Sequence, residues 1–286
     1  MLRDTLRRGA DRLRAEGIES AVLDAQLLAA FVLGADRVYV LTHPERGLSP
    51  EQERRFEGLV ERRGRHEPVA YILGTCEFMS LGFAVSADVL IPRADTECLA
   101  EAAIAHIRGT GARRVLEIGT GSGCVAVSLA VSCPDVLVTA VDISPAALDV
   151  ARRNADVHGV GKRITFVLGD IFRDSTCAAL AATGRADILV SNPPYITAEE
   201  MAGLPASVGG FEPHMALAGG ADGLDFYREI TRRAPELTGE GAAVFYETGC
   251  RQGVSVCEIL RKRGFTDVRI LPDLTGRDRV VHATRG

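Results

Sequence analysis

Residues 115–123 read Val115-Leu116-Glu117-Ile118-Gly119-Thr120-Gly121-Ser122-Gly123. A short apolar run ends in a glycine-rich turn, and the helical stretch Cys124 to Ala130 follows it. A strand feeding a glycine turn and then a helix is the opening unit of a doubly wound α/β sheet, where glycines let a ligand touch backbone N–H groups. The turn alone also fits a nicotinamide or flavin site, or a purely structural tight turn, so its neighbours have to decide.

On the C-terminal side, β-rich runs near 114–118, 137–141, 164–168, 187–191 and 242–247 alternate with helical periodicity. The runs Val268–Leu271 and Arg279–His282 are separated only by Pro272–Asp278, too little chain for a parallel crossover of about a dozen residues. The sequence therefore predicts a seven-stranded, doubly wound, Rossmann-like sheet with an antiparallel last strand. Strand two ends in Val141-Asp142, which places an acid where ribose hydroxyls need an acceptor. Strand three ends in Leu168-Gly169-Asp170-Ile171, an acid and an apolar wall suited to adenine. The spacing G-x-G-x-G, rather than G-x-G-x-x-G, leans from a dinucleotide towards S-adenosylmethionine. Two bland readings stand beside these: Asp142 as a cap for the Ser144-Pro145 helix, and Asp170 as a turn residue.

The stretch Asp187-Ile188-Leu189-Val190-Ser191-Asn192-Pro193-Pro194-Tyr195 carries the chemistry, because open α/β sheets bind ligands beyond the carboxyl ends of their strands. Neither proline nitrogen can donate, so the Asn192 and Pro193 carbonyls are left for a pocket. Asn192 adds a side-chain carbonyl, and Tyr195 a flat face that can stack on an amide or a base. Such a set suits a substrate NH2 group; the alternative is an ordinary Pro-Pro turn.

Residues 1–66 are helical in period, with Leu2, Leu6, Ala10 and Leu13 on one stripe and Val22, Leu23, Leu27 and Phe31 on the next. Ser49-Pro50-Glu51-Gln52 spells a capping box before Phe56, Leu59 and Val60. Charges balance there, and the region reads either as a stabilising cap or as a docking module for a protein. The period changes between Tyr71 and Ile91, around Gly74 and Gly82, as in a β-hairpin linker. The expected organisation is a helical substrate-docking domain over 1–70, a hairpin linker over 71–92 and the catalytic domain over 93–286.

The 286 residues, 47% hydrophobic and 25% charged, have room for one large domain and one small one. Thirty-eight acidic against 33 basic residues leave a formal charge of -5, which argues against life on bare phosphate backbones. No window approaches the roughly 18 apolar residues of a membrane span, and the charged start is unlike a signal peptide, so a cytoplasmic protein is expected. Seven cysteines, an odd number without C-x-x-C, predict neither a disulfide framework nor structural zinc, and no metal site is expected.

Asn192 to Tyr195 resembles the N-P-P-Y motif of methyltransferases acting on planar amides or exocyclic amines. More of the chain is similar to the bacterial peptide chain release factor N5-glutamine methyltransferases: Pro68–Gly74, Phe78, Phe83–Val85, Val89–Glu97, Glu212-Pro213, Ala216–Gly220, Asp222–Leu224, Tyr227, Glu247–Gly249, Gln252, Asp273-Leu274 and Asp278–Val281. Ala94, Glu117 and Ile171 stand where that family commonly has proline, aspartate and an aromatic residue, departures that bear on cofactor affinity. The resemblance implies a class I S-adenosylmethionine methyltransferase, yielding S-adenosylhomocysteine, that modifies the glutamine of a Gly-Gly-Gln loop and so tunes translation termination. It implies that Gly119, Thr120, Gly121, Ser122 and Gly123 wrap the methionine part, Asp142 holds ribose, Asp170 and Ile171 flank adenine, and Asn192 bridges cofactor and substrate. Asn192, Pro193, Pro194 and Tyr195 would hold the glutamine, with Asn192, Pro193 and Tyr195 catalytic. Arg93 and Glu97 would close over the cofactor or form an interdomain salt bridge. The implied partner is a release factor met by a monomer, with no membrane and no sequence-specific nucleic acid. Three rivals remain at this point: a ribosomal-protein glutamine substrate, an exocyclic amine of a flipped base, and a silent binding module.

Overall fold

The computed structural model describes all 286 residues, Met1–Gly286. They form two compact units, Met1–Thr75 with Pro205–Phe211, and Cys76–Leu204 with Glu212–Gly286.

In the first unit, helices α1 (Leu2–Ala15), α2 (Ala21–Leu33), α3 (Arg37–Thr42), α4 (Pro50–Gly64) and α5 (Val69–Leu73) enclose a core of their own. The capping box of α4 is formed: Gln52 N–H donates to Ser49 Oγ at 3.2 Å, and Ser49 N–H to Gln52 Oε1 at 3.0 Å. Its Phe56 lies against Gly9 of α1, where an added Cβ would come within 2.7 Å of the ring. In α2 the apolar stripe read from the sequence does not make the core. Val22, Leu23 and Phe31 are exposed, whereas Ala21, Ala25, Leu28, Ala29 and Val32 are buried. Alanines let neighbouring helices approach closely, and the buried Asp24 is matched by Arg63 at 2.7 Å, so the small face wins the interior.

Tyr71-Ile72-Leu73 belongs to α5, which Gly74 ends at φ +74°. The hairpin is accordingly only β1 (Thr75–Phe78) and β2 (Leu81–Ala84). A three-residue apolar run looks the same in a strand and in a buried helical turn, which is why the change of period overstates the hairpin.

The second unit continues with α6 (Ala94–Thr110), β3 (Arg114–Ile118), α7 (Cys124–Ser132), β4 (Leu137–Asp142), α8 (Pro145–Val157), β5 (Ile164–Leu168), α9 (Asp174–Ala182), β6 (Ala186–Ser191) and α10 (Ala198–Met201). The short α11 (Ala206–Gly209) belongs to the first unit; α12 (Asp225–Leu237), β7 (Thr238–Glu247), α13 (Gly253–Lys262), β8 (Phe265–Pro272) and β9 (Asp278–Arg285) complete the second. The sheet order is β5-β4-β3-β6-β7-β9-β8, parallel from β5 to β7 and antiparallel at β7–β9 and β9–β8. The predicted seven strands are all present, with β7 starting earlier than its apolar run because Thr238–Gly241 carries no strand signal.

Cores fill both faces. Leu99, Ala103 and Ile107 of α6 and the small apolar side of α7 cover one; α9, α12 and α13 cover the other. Ile188, Leu189 and Val190 of β6 are fully buried, as a central parallel strand between two helical layers must be, each contributing about 1.5–3 kcal/mol. Chain order reverses between β3 and β6, and this switch point opens a crevice at their carboxyl ends.

Candidate active site

The β3 glycine turn is held in place by its neighbours. Gly119, Gly121 and Gly123 sit at φ +79°, +55° and +78°, a region glycine enters without strain. The N–H groups of Gly119 and Thr120 donate to the Val141 carbonyl at 2.9 and 3.0 Å. The Asp142 carboxylate accepts from Gly121 N–H at 2.8 Å and Ser144 N–H at 2.9 Å. Ser144, not Asp142, caps α8, through Ala147 N–H at 3.2 Å. Asp142 thus ties the turn to the end of β4, and its two oxygens keep lone pairs for ligand hydroxyls. Burial pushes its pKa up, opposed by the backbone N–H groups it accepts. Asp170 accepts from Phe172 N–H at 2.9 Å in a turn of its own, and Ile171 beside it is buried.

At the end of β6, Ser191 Oγ donates to the Ile118 carbonyl at 2.6 Å and so levels the tetrad with the glycine turn. Asn192 donates its side-chain N–H to Thr96 Oγ1 at 3.2 Å. Neither the Asn192 nor the Pro193 carbonyl accepts a turn hydrogen bond. The Tyr195 carbonyl accepts from Gln252 Nε2 at 2.9 Å. Its Cα passes so close to Gly219 that a Cβ there would stand 2.7 Å away.

These ends surround a cavity of about 360 Å³. Gly119, Thr120, Gly121, Ser122, Asp142, Asp170, Ile171, Arg93, Asn192, Pro193 and Pro194 all line it. Gly123, Glu97 and Tyr195 do not: Gly123 makes room for Ala151 of α8, Glu97 accepts from Met79 N–H at 2.6 Å in the hairpin turn, and Tyr195 packs against the core under α12. Arg93 pairs with Glu212, and both residues belong to the second unit, which corrects the expectation of an interdomain bridge. A left-handed glycine cradle, acids at the ends of β4 and β5 and an apolar floor fit S-adenosylmethionine in shape and donor set.

Comparison with known proteins agrees. The PrmC N-terminal domain family matches residues 4–74, and the methyltransferase small domain family residues 96–204. A curated release factor glutamine methyltransferase of Cereibacter sphaeroides is 42% identical over 280 residues, 98% of this chain and 97% of that one. The chain belongs to the release factor glutamine methyltransferase family. A relative of the same name from Geobacter sulfurreducens is 42% identical over 269 residues, 94% of this chain and 91% of the other. Among solved structures, the hMettl16 catalytic domain in complex with a MAT2A 3′UTR hairpin aligns with a TM-score of 0.55 at 16% identity, covering 82% of each chain, which shows a shared fold.

In this member of the family, other residues complete the site. Glu117, at the end of β3, is buried and accepts a hydrogen bond from Thr120. Burial, with the nearby Asp142 charge adding to it, raises its pKa to about 8. Its sequence signal is an acid inside an apolar strand. Buried Asn154 of α8 spends both ends of its amide on the backbone, at Ser122 and Ala84, and so joins the glycine turn to β2. Nothing in the periodicity of α8 marks it. Phe226 and Phe172 meet edge to face at 5.1 Å and line the cavity near Ile171, providing aromatic surface where Ile171 has none.

Proposed function

We propose that the chain transfers a methyl group from S-adenosylmethionine to the side-chain amide nitrogen of the glutamine in a release factor Gly-Gly-Gln loop, with Asn192 and Pro193 holding that amide. The observation carrying this reading is the position of Asn192. It stands on the cavity wall with its N–H turned to Thr96, beside a Pro193 carbonyl that no turn hydrogen bond uses.

An amide nitrogen is a poor nucleophile because its lone pair is delocalised into the carbonyl. If one substrate N–H donates to Asn192 Oδ1 and the other to the Pro193 carbonyl, the nitrogen is held in place and its density directed at the incoming methyl group. The bound donor supplies a methyl on a positively charged sulfur, a group that leaves without protonation. Gly119 to Ser122 would meet its methionine part, Asp142 its ribose, and Asp170, Ile171 and the Phe172–Phe226 pair its adenine. Pro194 would wall the substrate side with Tyr195 packed behind it, and Arg93, held by Glu212, would steady the segment at the rim. No strong base is needed, because the methylated nitrogen is acidic and gives its proton to water.

The first unit would dock the release factor. Val22, Leu23, Val38 and Leu41 on α2 and α3 are exposed, an apolar surface that favours a protein partner. No helix is long and apolar enough to cross a membrane, and a net charge of -5 disfavours nucleic acid; a monomer acting on a protein in the cytoplasm is part of this proposal. The test is methyl transfer from labelled S-adenosylmethionine to an intact unmodified release factor, to the same factor with its loop glutamine replaced, and to DNA, followed by mass mapping. Label confined to the loop glutamine is expected; label on DNA alone would reassign the tetrad to a base amine.

A further inference from the structure

We propose that Arg93 anchors the carboxylate of the methyl donor, with the buried Glu212 holding its guanidinium at the cavity wall. This rests on the reading of the cavity as the donor site, and it holds whatever the methyl acceptor is.

The charges around the cavity carry the assignment. Asp88, Glu117, Asp142 and Asp170 line it, and Arg93 is the only basic residue in the lining. Arg173 turns to Asp170, at 3.5 Å, and lies outside the lining. S-adenosylmethionine brings a cationic sulfur, a cationic amine and a single anion, its carboxylate. Acidic walls suit the two cations. An anion among those acids is repelled, the more strongly the less water lies between the charges. Arg93 is the one lining side chain that offers it a counter-charge.

Local structure fixes Arg93 for that task. Ile91 and Pro92 before it are buried, and its own carbonyl accepts the Thr96 N–H at 3.0 Å in the first turn of α6. Its guanidinium pairs with Glu212, which stands next to Pro213, another residue of the cavity wall. The two partners are unequally buried: the Glu212 side chain is 1% exposed and the Arg93 side chain 40%. The counter-ion therefore sits inside the protein and the cation at the cavity. A guanidinium presents several N–H donors in a planar fork. Glu212 takes one of them, which leaves donors for a second carboxylate, the group that arginine binds with two parallel hydrogen bonds.

Stability alone is a poor account of the pair. Glu212 Oε2 is buried without a hydrogen-bond partner, an arrangement that weakens a fold. Burial pushes the Glu212 pKa up, with the Arg93 charge and hydrogen bond opposing. What the arrangement secures is a long side chain already ordered before the ligand arrives, so that less rotamer freedom is lost on binding.

The experiment is calorimetry on the full chain with S-adenosylmethionine and with decarboxylated S-adenosylmethionine, which differs only in lacking the carboxylate. Wild type should bind the carboxylated ligand at least about tenfold more tightly. Arg93→Ala should shrink that preference to within about twofold, by losing affinity for S-adenosylmethionine while the decarboxylated ligand binds as before or better. Arg93→Lys, which keeps a cation without the fork, should restore part of the preference. Arg93→Ala leaves Glu212 buried and unpaired. Arg93→Met combined with Glu212→Gln removes that charge, should lose the preference in the same way, and decides the matter should Arg93→Ala fail to fold. A tenfold preference surviving in the double variant would overturn the assignment and leave the carboxylate to backbone N–H groups of the glycine turn. Equal weakening of both ligands in the double variant would also overturn it, making the pair a prop of the cavity wall, as would a wild type that does not discriminate. If both ligands bind all these variants and Asp142→Asn as they bind wild type, the donor lies outside this cavity and the reading beneath the assignment fails.

Discussion

The Asp142 carboxylate accepts the Gly121 N–H at 2.8 Å, so the acid ending β4 and the glycine turn ending β3 are one piece of construction. Substituting Asp142 therefore loosens the cradle and removes a ligand acceptor at once. Asp142→Asn keeps the shape but replaces one acceptor oxygen with a donor facing either Gly121 or Ser144. A charge-assisted hydrogen bond is worth about 1.5–3 kcal/mol, so calorimetry should show S-adenosylmethionine affinity falling by at least about tenfold. Unchanged affinity would mean that Asp142 only shapes the turn.

Gly219 is a steric prediction. A Cβ there would meet the Pro194 carbonyl oxygen and the Tyr195 Cα, both at 2.7 Å, and these are backbone atoms with little freedom to give way. Gly219→Ala should displace the tetrad and cut kcat by at least about tenfold, while calorimetry finds cofactor affinity nearly unchanged, because no cofactor-binding segment touches Gly219. Gly241→Ala is the comparison. It carries the φ strain, at +71°, with open space around its Cβ, and should reduce stability by about 1 kcal/mol without touching kcat.

What the residues announce and what they conceal divides along physical lines. Strands β3 and β6 are legible because apolar runs buried on both faces stand out from polar turns, and their ends are legible because glycine and paired prolines have few other uses. The core face of α2 is hidden. Periodicity favours large residues such as Val22 and Leu23, whereas packing selects the alanine face with its Asp24–Arg63 pair. Asn154 and Thr96 are hidden for another reason: each acts on residues far away in sequence, Ala84 and Ser122 for one, Asn192 for the other. Local pattern holds no trace of partners that only the fold brings together. Glu117 and Glu247 are visible as acids in apolar strands, but their protonation depends on a burial that only the packed sheet provides.

Asn192→Asp is nearly isosteric and separates amide chemistry from mere shape. The aspartate still accepts hydrogen bonds but has no N–H for Thr96, and its negative charge favours the cationic sulfur before transfer more than at the transition state, where that charge is dispersing. Single-turnover rates should fall by about a hundredfold with cofactor affinity equal or tighter. A rate near wild type would show that any acceptor at this position suffices.

His282 of β9 governs how stability responds to acid. It is buried against Phe245, with ring centroids 4.7 Å apart, and burial together with Arg269 and His106 lowers its pKa to about 4. An unfolded chain protonates the same ring near 6.5, so between these values the unfolded state holds the extra proton and the fold weakens as pH falls. Glu117 and Glu247 act with the opposite sign. Their pKa values are raised to about 8 and about 7, so the fold is the form that takes up protons, and their contribution declines as pH rises from about 4.5 towards those values. The His282 part is isolated by comparison with His282→Leu in denaturant unfolding at pH 7.5 and 4.5. The wild type should lose roughly 2–3 kcal/mol more than the variant between the two conditions. Parallel losses would mean that the ring finds a protonated resting place in the fold, with His106 or Arg269 moving aside to admit the charge.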